Sequence, residues 1–235
     1  MGNKLLVLLA VAVGVGLSVS GGVLEGRESL ASFTPGPEPF VQVTDGPQQS
    51  ILPCALDSGL MVEMLTDYEG PYMEDGSDEP VSGVAALMLR NTGTRDISAA
   101  MITVKQGHQV LHFYVTWLPA GQKVLVLEYD RQMYFDAPVT ECASTGVRWE
   151  SFYPEDSMIW ITEEGEQALT VVNCSAKEVS HVRLRYKTYI EDGDFYLGGF
   201  TYSVYVGNLA SGECRTVYPG HYARGASGLL AVLTQ

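Results

Sequence analysis

The feature that most constrains this chain is a stretch written twice. Residues 87–129 carry LMLRNTGTRDISAAMITV, a turn, and VLHFYVTWLPAGQKVLVLEY, and residues 169–218 carry a second version. With Asn91 laid over Asn173, Asn-Thr-Gly-Thr-Arg-Asp-Ile-Ser lies over Asn-Cys-Ser-Ala-Lys-Glu-Val-Ser. A polar turn, an acidic residue, a β-branched residue and a Ser recur in the same slots. Further on, Leu118-Pro-Ala-Gly-Gln-Lys-Val lies over Leu209-Ala-Ser-Gly-Glu-Cys-Arg. The Asn-to-Leu spacing is 27 residues in the first version and 36 in the second. The surplus falls around Glu191-Asp-Gly-Asp194, the composition of a lengthened hairpin. Two copies of this size are two domains of one kind, not a solenoid, which needs more repeats of shorter period.

Within each copy the apolar period is near 2. His181-Val-Arg-Leu-Arg-Tyr-Lys places Val182, Leu184 and Tyr186 on one face and charges on the other, the pattern of a half-buried antiparallel strand. Phe200-Thr-Tyr-Ser-Val-Tyr-Val is richer in aromatic and β-branched residues and is expected to be more buried. Gly and Asn/Asp clusters punctuate the runs at intervals of roughly 8–12 residues, as in sandwiches. The fold expected is therefore all-β, with two tandem antiparallel β-sandwich domains over residues 51–149 and 150–235. Strands are predicted from Leu60 to Leu65, Val84 to Leu89, Ile97 to Val104, Val110 to Trp117, Lys123 to Tyr129 and Thr145 to Trp149. In the second domain the first strand is Met158-Ile-Trp-Ile-Thr and the last is Leu229 to Leu233. Trp149 and Trp160 flank the junction and predict a packed contact there.

Each copy resembles the small immunoglobulin-like sandwich domains of Gram-positive bacterial envelope proteins, of the FxLYD or CARDB kind. Asn91, Asp96, Ile97, Leu118 and Gly121 carry the resemblance in the first copy, and Asn173, Glu178, Val179, Leu209 and Gly212 in the second. The resemblance implies an Ig-like fold and a place in a cell envelope. A fold does not fix a function.

The beginning of the chain points to export. Met1-Gly-Asn-Lys precedes an apolar run from Leu5 to Val19, and Ser18-Val-Ser20 offers a small-x-small cleavage site, as in a signal peptide. The alternative is an uncleaved anchor: residues 5–24 carry no charge and form a hydrophobic helix just long enough to span. Lys4 then predicts a cytoplasmic N-terminus. Either way residues 1–24 are a signal peptide or signal anchor, and the rest is extracytoplasmic, secreted or membrane-anchored. Contact with the membrane is expected only through residues 5–24, if uncleaved. Residues 25–50, rich in Pro, Gly, Ser and acidic residues, read as a linker. A net charge of −14 argues against nucleic acid and against anionic lipid as partners.

Several constellations invite a chemical reading. Exported cysteines raise disulfides. Cys54 precedes the first strand of domain one and Cys142 its last, so this pair is geometrically reasonable. Cys174 and Cys214 would be the matching pair, although their strands are expected to run the same way. The run Glu74-Asp-Gly-Ser-Asp78-Glu79 offers hard oxygen ligands for calcium, but its spacing is not that of an EF-hand, and a solvated loop is the simpler reading. In a strand, His108 and His112 would stand about 13 Å apart, too far to share an ion. Neither a GxSxG elbow nor a Walker loop occurs, and no metal or cofactor is expected. Asn173-Cys-Ser matches a glycosylation sequon only formally. Aromatic residues crowd the hairpin of the second copy, and Tyr189, Phe195, Tyr196, Phe200 and Tyr202 are candidates for stacking on sugar rings, with core packing as the plainer alternative. The function expected is a non-enzymatic interaction or structural module of the cell envelope, partnered by another envelope protein or a glycan. The alternative is a lectin-like module using the aromatic hairpin.

Overall fold

The structure is a computed structural model that describes residues 49–149 and 158–234. The N-terminal hydrophobic segment, most of the linker and the junction at 150–157 lie outside the described residues. The first half, residues 51–149, contributes β1 (Cys54–Ala55), β2 (Leu60–Pro71), β3 (Pro80–Asn91), β4 (Ile97–Gln106), β5 (Gln109–Leu118), β6 (Lys123–Leu127) and β7 (Val139–Trp149). The second half, residues 158–234, contributes β8 (Ile159–Glu164), β9 (Ala168–Asn173), β10 (Val179–Ile190), β11 (Phe195–Leu209), β12 (Cys214–Val217) and β13 (Ser227–Leu233). A single 3₁₀ turn, Glu191–Gly193, closes the hairpin between β10 and β11. The described chain is all-β.

The strands form one sheet of order β1-β2-β3-β6-β11-β10-β13 and two smaller ones, β5-β4-β7 and β12-β9-β8. The large sheet runs from one half into the other. Its junction is the parallel pairing of β6 with β11, through Tyr196–Val124 and Leu197–Leu125, while the other neighbours are antiparallel. Each small sheet covers one half of the large one. In the first half Leu60, Val62, Leu87, Leu89 and Val126 meet Ile102, Val104, Leu111, Phe113 and Val115 in one cluster. In the second half Val182, Leu184, Tyr186 and Val206 meet Leu169 and Val171. Strand alternation supplies these faces, and each Leu or Phe fully withdrawn from water contributes about 1.5–3 kcal/mol.

The two turns that the sequence aligns are built alike. Asn91 is buried, and its side-chain amide donates to the carbonyls of Arg95 (2.9 Å) and Leu118 (3.1 Å) while its oxygen accepts from the N–H of Gly93 (3.0 Å). Asn173, also buried, donates to Lys177 (2.7 Å), Leu209 (2.9 Å) and Ala210 (3.1 Å) and accepts from Ser175 (2.9 Å). The backbone repeats the match, with Gly121 N–H on Asn91 C=O at 2.8 Å and Gly212 N–H on Asn173 C=O at 2.9 Å. Each Asn thus ties the turn after its own strand to a second turn far along the chain. With its side chain committed in this way, Asn173 offers no free amide for a glycan.

Several expectations need correction. Cys142 lies inside β7, which starts at Val139 rather than Thr145. Its small and polar residues alternate as an edge strand does, a weak signal when only apolar runs are sought. The strands of Cys174 and Cys214 are neighbours that run antiparallel, because β9 pairs with β12. Trp149 and Trp160 do not fill the junction: they are 42% and 67% exposed, and Arg95 covers Trp149 at 5.4 Å. The halves meet instead at Trp117, buried beside Ala231, Leu230 and Leu233, with Arg185 over its ring at 5.1 Å.

Candidate functional site

The acidic segment 72–79, between β2 and β3, is a strap over the seam where β6 meets β11. It is closed at its base by the Tyr72 N–H on Glu79 C=O at 2.8 Å and turned internally by Ser77 N–H on the Asp75 carboxylate at 2.9 Å. From it Glu74 dives into the protein. The ladder between β6 and β11 ends at Leu125 and Leu197, and beyond that point the Glu74 carboxylate bridges the two strands. It accepts from Leu127 N–H on β6 (2.8 Å), and from Gly199 (2.8 and 3.0 Å) and Phe200 (3.2 Å) N–H groups on β11.

Lys187 secures the same segment from the other side. On β10, Tyr186 pairs with Tyr202 and Thr188 with Leu197, so residues 198–201 of β11 stand against Lys187 alone. The bulge leaves carbonyls without ladder partners opposite β10. Lys187 is fully buried, and its ammonium donates to the carbonyls of Gly198 (2.9 Å), Gly199 and Phe200 (2.9 Å). Gly198 has φ +85, and a Cβ on Gly199 would lie 1.8 Å from the Tyr114 carbonyl oxygen. The Gly-Gly pair is what lets β11 approach β5 so closely, and Thr116 Oγ1 also donates to Gly199 C=O at 3.1 Å. Burial drives Glu74 above the ordinary carboxylate value, against the pull of the Gly199, Leu127 and Phe200 N–H groups and of Lys187. Burial drives Lys187 down, against the attraction of Glu74. The opposed charges hold each other in a place where either alone would be costly.

The outer side of the strap is tied as well. Arg131 pairs with Asp75 at 2.6 Å and Glu79 at 3.2 Å, and lies over the Tyr72 ring at 4.4 Å. Hydrogen bonds from Ser77, and then Arg131, hold Asp75 below the usual carboxylate range. Asp78 reaches across to His221 at 3.0 Å. The Tyr72 hydroxyl donates to the carbonyls of Glu128 (3.0 Å) and Tyr129 (2.7 Å), and burial pushes its pKa well up. Glu128, itself fully buried, accepts from the N–H groups of His112 (3.1 Å), Asp130 (2.8 Å) and Gln132 (2.8 Å). An open cleft of about 370 Å³ remains, lined by Tyr72, Glu74, Asp75, Tyr129, Asp130 and Arg131.

The carboxylates considered for calcium are therefore engaged with backbone N–H groups, Arg131 and His221. No group of three or more His, Cys, Asp or Glu among the described residues is placed to share a metal ion. His108 sits in the tight turn after Gly107, and His112 in β5. The four cysteines are free thiols, Cys54 and Cys142 half-buried and Cys174 and Cys214 exposed.

The aromatic candidates separate into groups. Tyr189 and Tyr196 pack 5.3 Å apart, with the Tyr189 hydroxyl on Asp194 at 2.7 Å and Tyr196 buried. Tyr202 is stacked between Tyr186 (5.7 Å) and His221 (4.4 Å). Phe195 is half-buried against the cluster of Tyr68, Tyr72 and Leu197. Phe200 stands apart from these, 5.6 Å from Tyr114 and 6.5 Å from Tyr129 beside the cleft. Sequence reading missed Tyr114, Tyr129 and the Glu74–Lys187 pair. The available signal was the Gly198-Gly199 pair inside an aromatic strand, which marks a close backbone approach. Searches of protein-family models, of curated proteins and of solved structures each gave no match to this chain.

Proposed function

We propose that this protein is a non-enzymatic, extracytoplasmic interaction or structural module of the cell envelope, built from two copies of an Ig-like sandwich. The matched turns around Asn91 and Asn173 support the two-copy reading. The apolar run at residues 5–24 supports export. The observation that carries the functional reading is the use of the buried ionisable groups. Glu74, Glu128 and Lys187 direct their hydrogen bonds at the main chain; Glu74 acts across the seam of the two halves, and Lys187 holds the same stretch of β11 from within the second half. That is how a rigid two-part scaffold is made from groups an enzyme would aim at a substrate. The test is cross-linking in the native envelope followed by capture of the full chain. The expected result is a partner recovered in constant ratio. A chain recovered alone that releases fragments from envelope polymers would overturn the reading.

A second reading, a glycan-binding module, is favoured by Phe200 lying between Tyr114 and Tyr129 at the edge of the cleft. Aromatic faces beside carboxylates and an Arg are suited to sugar rings and their hydroxyls. A glycan array with the chain from residue 25 tests it: binding lost on Tyr129→Ala supports it, and no binding to any glycan removes it.

A further inference from the structure

Cys54 and Cys142 stand side by side at one rim of the first half. β1 belongs to the large sheet and β7 to the small sheet that faces it. Two contacts bracket the pair. Ile51 donates its N–H to Val139 C=O at 2.9 Å, three residues before each cysteine. A little further along, the Ser144 hydroxyl donates to that of Ser58 at 2.9 Å. Between these contacts the two segments advance together, which brings the cysteines to the same height. Both side chains pack against the same core cluster, and both are half-buried, so reagents in solution can reach them. Burial pushes the Cys142 thiol up to about 12, and the neighbouring Cys54 adds to the shift.

The other two cysteines are placed differently. Cys214 lies opposite Val172 in the β9–β12 ladder, so Cys174 is two residues off register. Such diagonal neighbours have Cα atoms about 7–8 Å apart. A disulfide needs roughly 4.4–6.8 Å.

We propose that Cys54 and Cys142 form a site of oxidative modification, a disulfide joining the two sheets of the first half, while Cys174 and Cys214 remain thiols. The co-reactant is a small or protein disulfide acting as oxidant. The thiolate of Cys54 attacks one sulfur of the oxidant, whose S–S bond breaks and releases the other sulfur as thiolate. Cys142, once deprotonated, attacks the Cys54 sulfur of the mixed disulfide and expels the second oxidant sulfur. Two electrons pass to the oxidant, which leaves as two thiols carrying the two protons from the cysteines. The raised Cys142 thiol makes the second step the slower one near neutrality and speeds it as pH rises.

The test uses the full chain, purified reduced, exposed to oxidised glutathione while folded, then alkylated in denaturant and mapped by peptide mass spectrometry. The expected product links the Cys54 and Cys142 peptides, with Cys174 and Cys214 alkylated. Oxidation should raise Tm by about 4–16 °C, reversed by dithiothreitol. Cys54→Ser or Cys142→Ser should abolish both link and shift. The doubly substituted chain Cys174→Ser, Cys214→Ser should keep both, which guards against misfolding of the first variants. Four alkylated cysteines after oxidation, or a Cys174–Cys214 link as the main product, would overturn the proposal.

Discussion

Replacing Lys187 with Met isolates the energetics of the seam. Met preserves the length and the apolar stem but removes the ammonium. The carbonyls of Gly198, Gly199 and Phe200 lose their Lys187 donor, although Gly199 keeps Thr116. Glu74 is left as a buried carboxylate with N–H partners but without its countercharge. Removing one member of a buried pair typically costs about 3–5 kcal/mol, more than the pair itself is worth, because the survivor is stranded. Urea unfolding followed by far-UV circular dichroism and Trp fluorescence should show a lower midpoint at unchanged slope. Trp117, buried where the halves meet, contributes to that fluorescence together with the exposed Trp149 and Trp160. Adding Glu74→Gln should cost less than the sum of the single changes, with a coupling of about 0.5–3 kcal/mol. The pH dependence has a definite sign. Glu74 is raised above its ordinary value of 4.5, so its folded form binds a proton that its unfolded form has lost between those two values. Its contribution is full below 4.5 and is lost as pH rises through the folded pKa. Without Lys187 that pKa rises further, so the deficit of the variant relative to wild type should shrink as pH falls toward 4.5. A loss under about 1 kcal/mol, strictly additive single changes, or a deficit that grows on acidification would refute this account of the seam.

Three further outcomes follow from the packing. Gly199→Ala should destabilise by about 3 kcal/mol or more by the same urea titration, since its Cβ would meet the main chain of β5 rather than a movable side chain. Asn91→Ala and Asn173→Ala should each cost about 2–3 kcal/mol. Because the two Asn share no partner, the double variant should lose the sum, and a large departure from additivity would contradict independent turns.

The strands were legible because their faces alternate, and the paired turns were legible because Asn91 and Asn173 sit in matching surroundings. The seam was not. Its Glu74 lies in a run of acidic residues that composition assigns to solvent, and Lys187 looks like one more charge beside Arg183 and Arg185. Only the bulge in β11 turns Lys187 inward, and a bulge is set by tertiary pairing rather than by local pattern. The aromatic hairpin was found as a feature, but its rings divide between core, stacking pairs and the cleft edge. Alternation along one strand cannot show which ring meets a residue from the other half, as Phe200 meets Tyr114 and Tyr129.

The parallel pairing of β6 and β11 has a mechanical consequence. β1 and β13 are the opposite edges of the large sheet, so tension applied between those edges passes through every ladder in turn. The β6–β11 ladder has only two residue pairs, as has β1–β2 at the sheet edge, whereas β2–β3 and β10–β11 are far longer. Between the two halves, tension bears on this two-residue ladder, where Glu74 holds both strands. Stretched this way, the two halves are joined at that ladder by two residue pairs and one buried carboxylate, fewer links than the five pairs of β3–β6 or the nine of β10–β11 on either side.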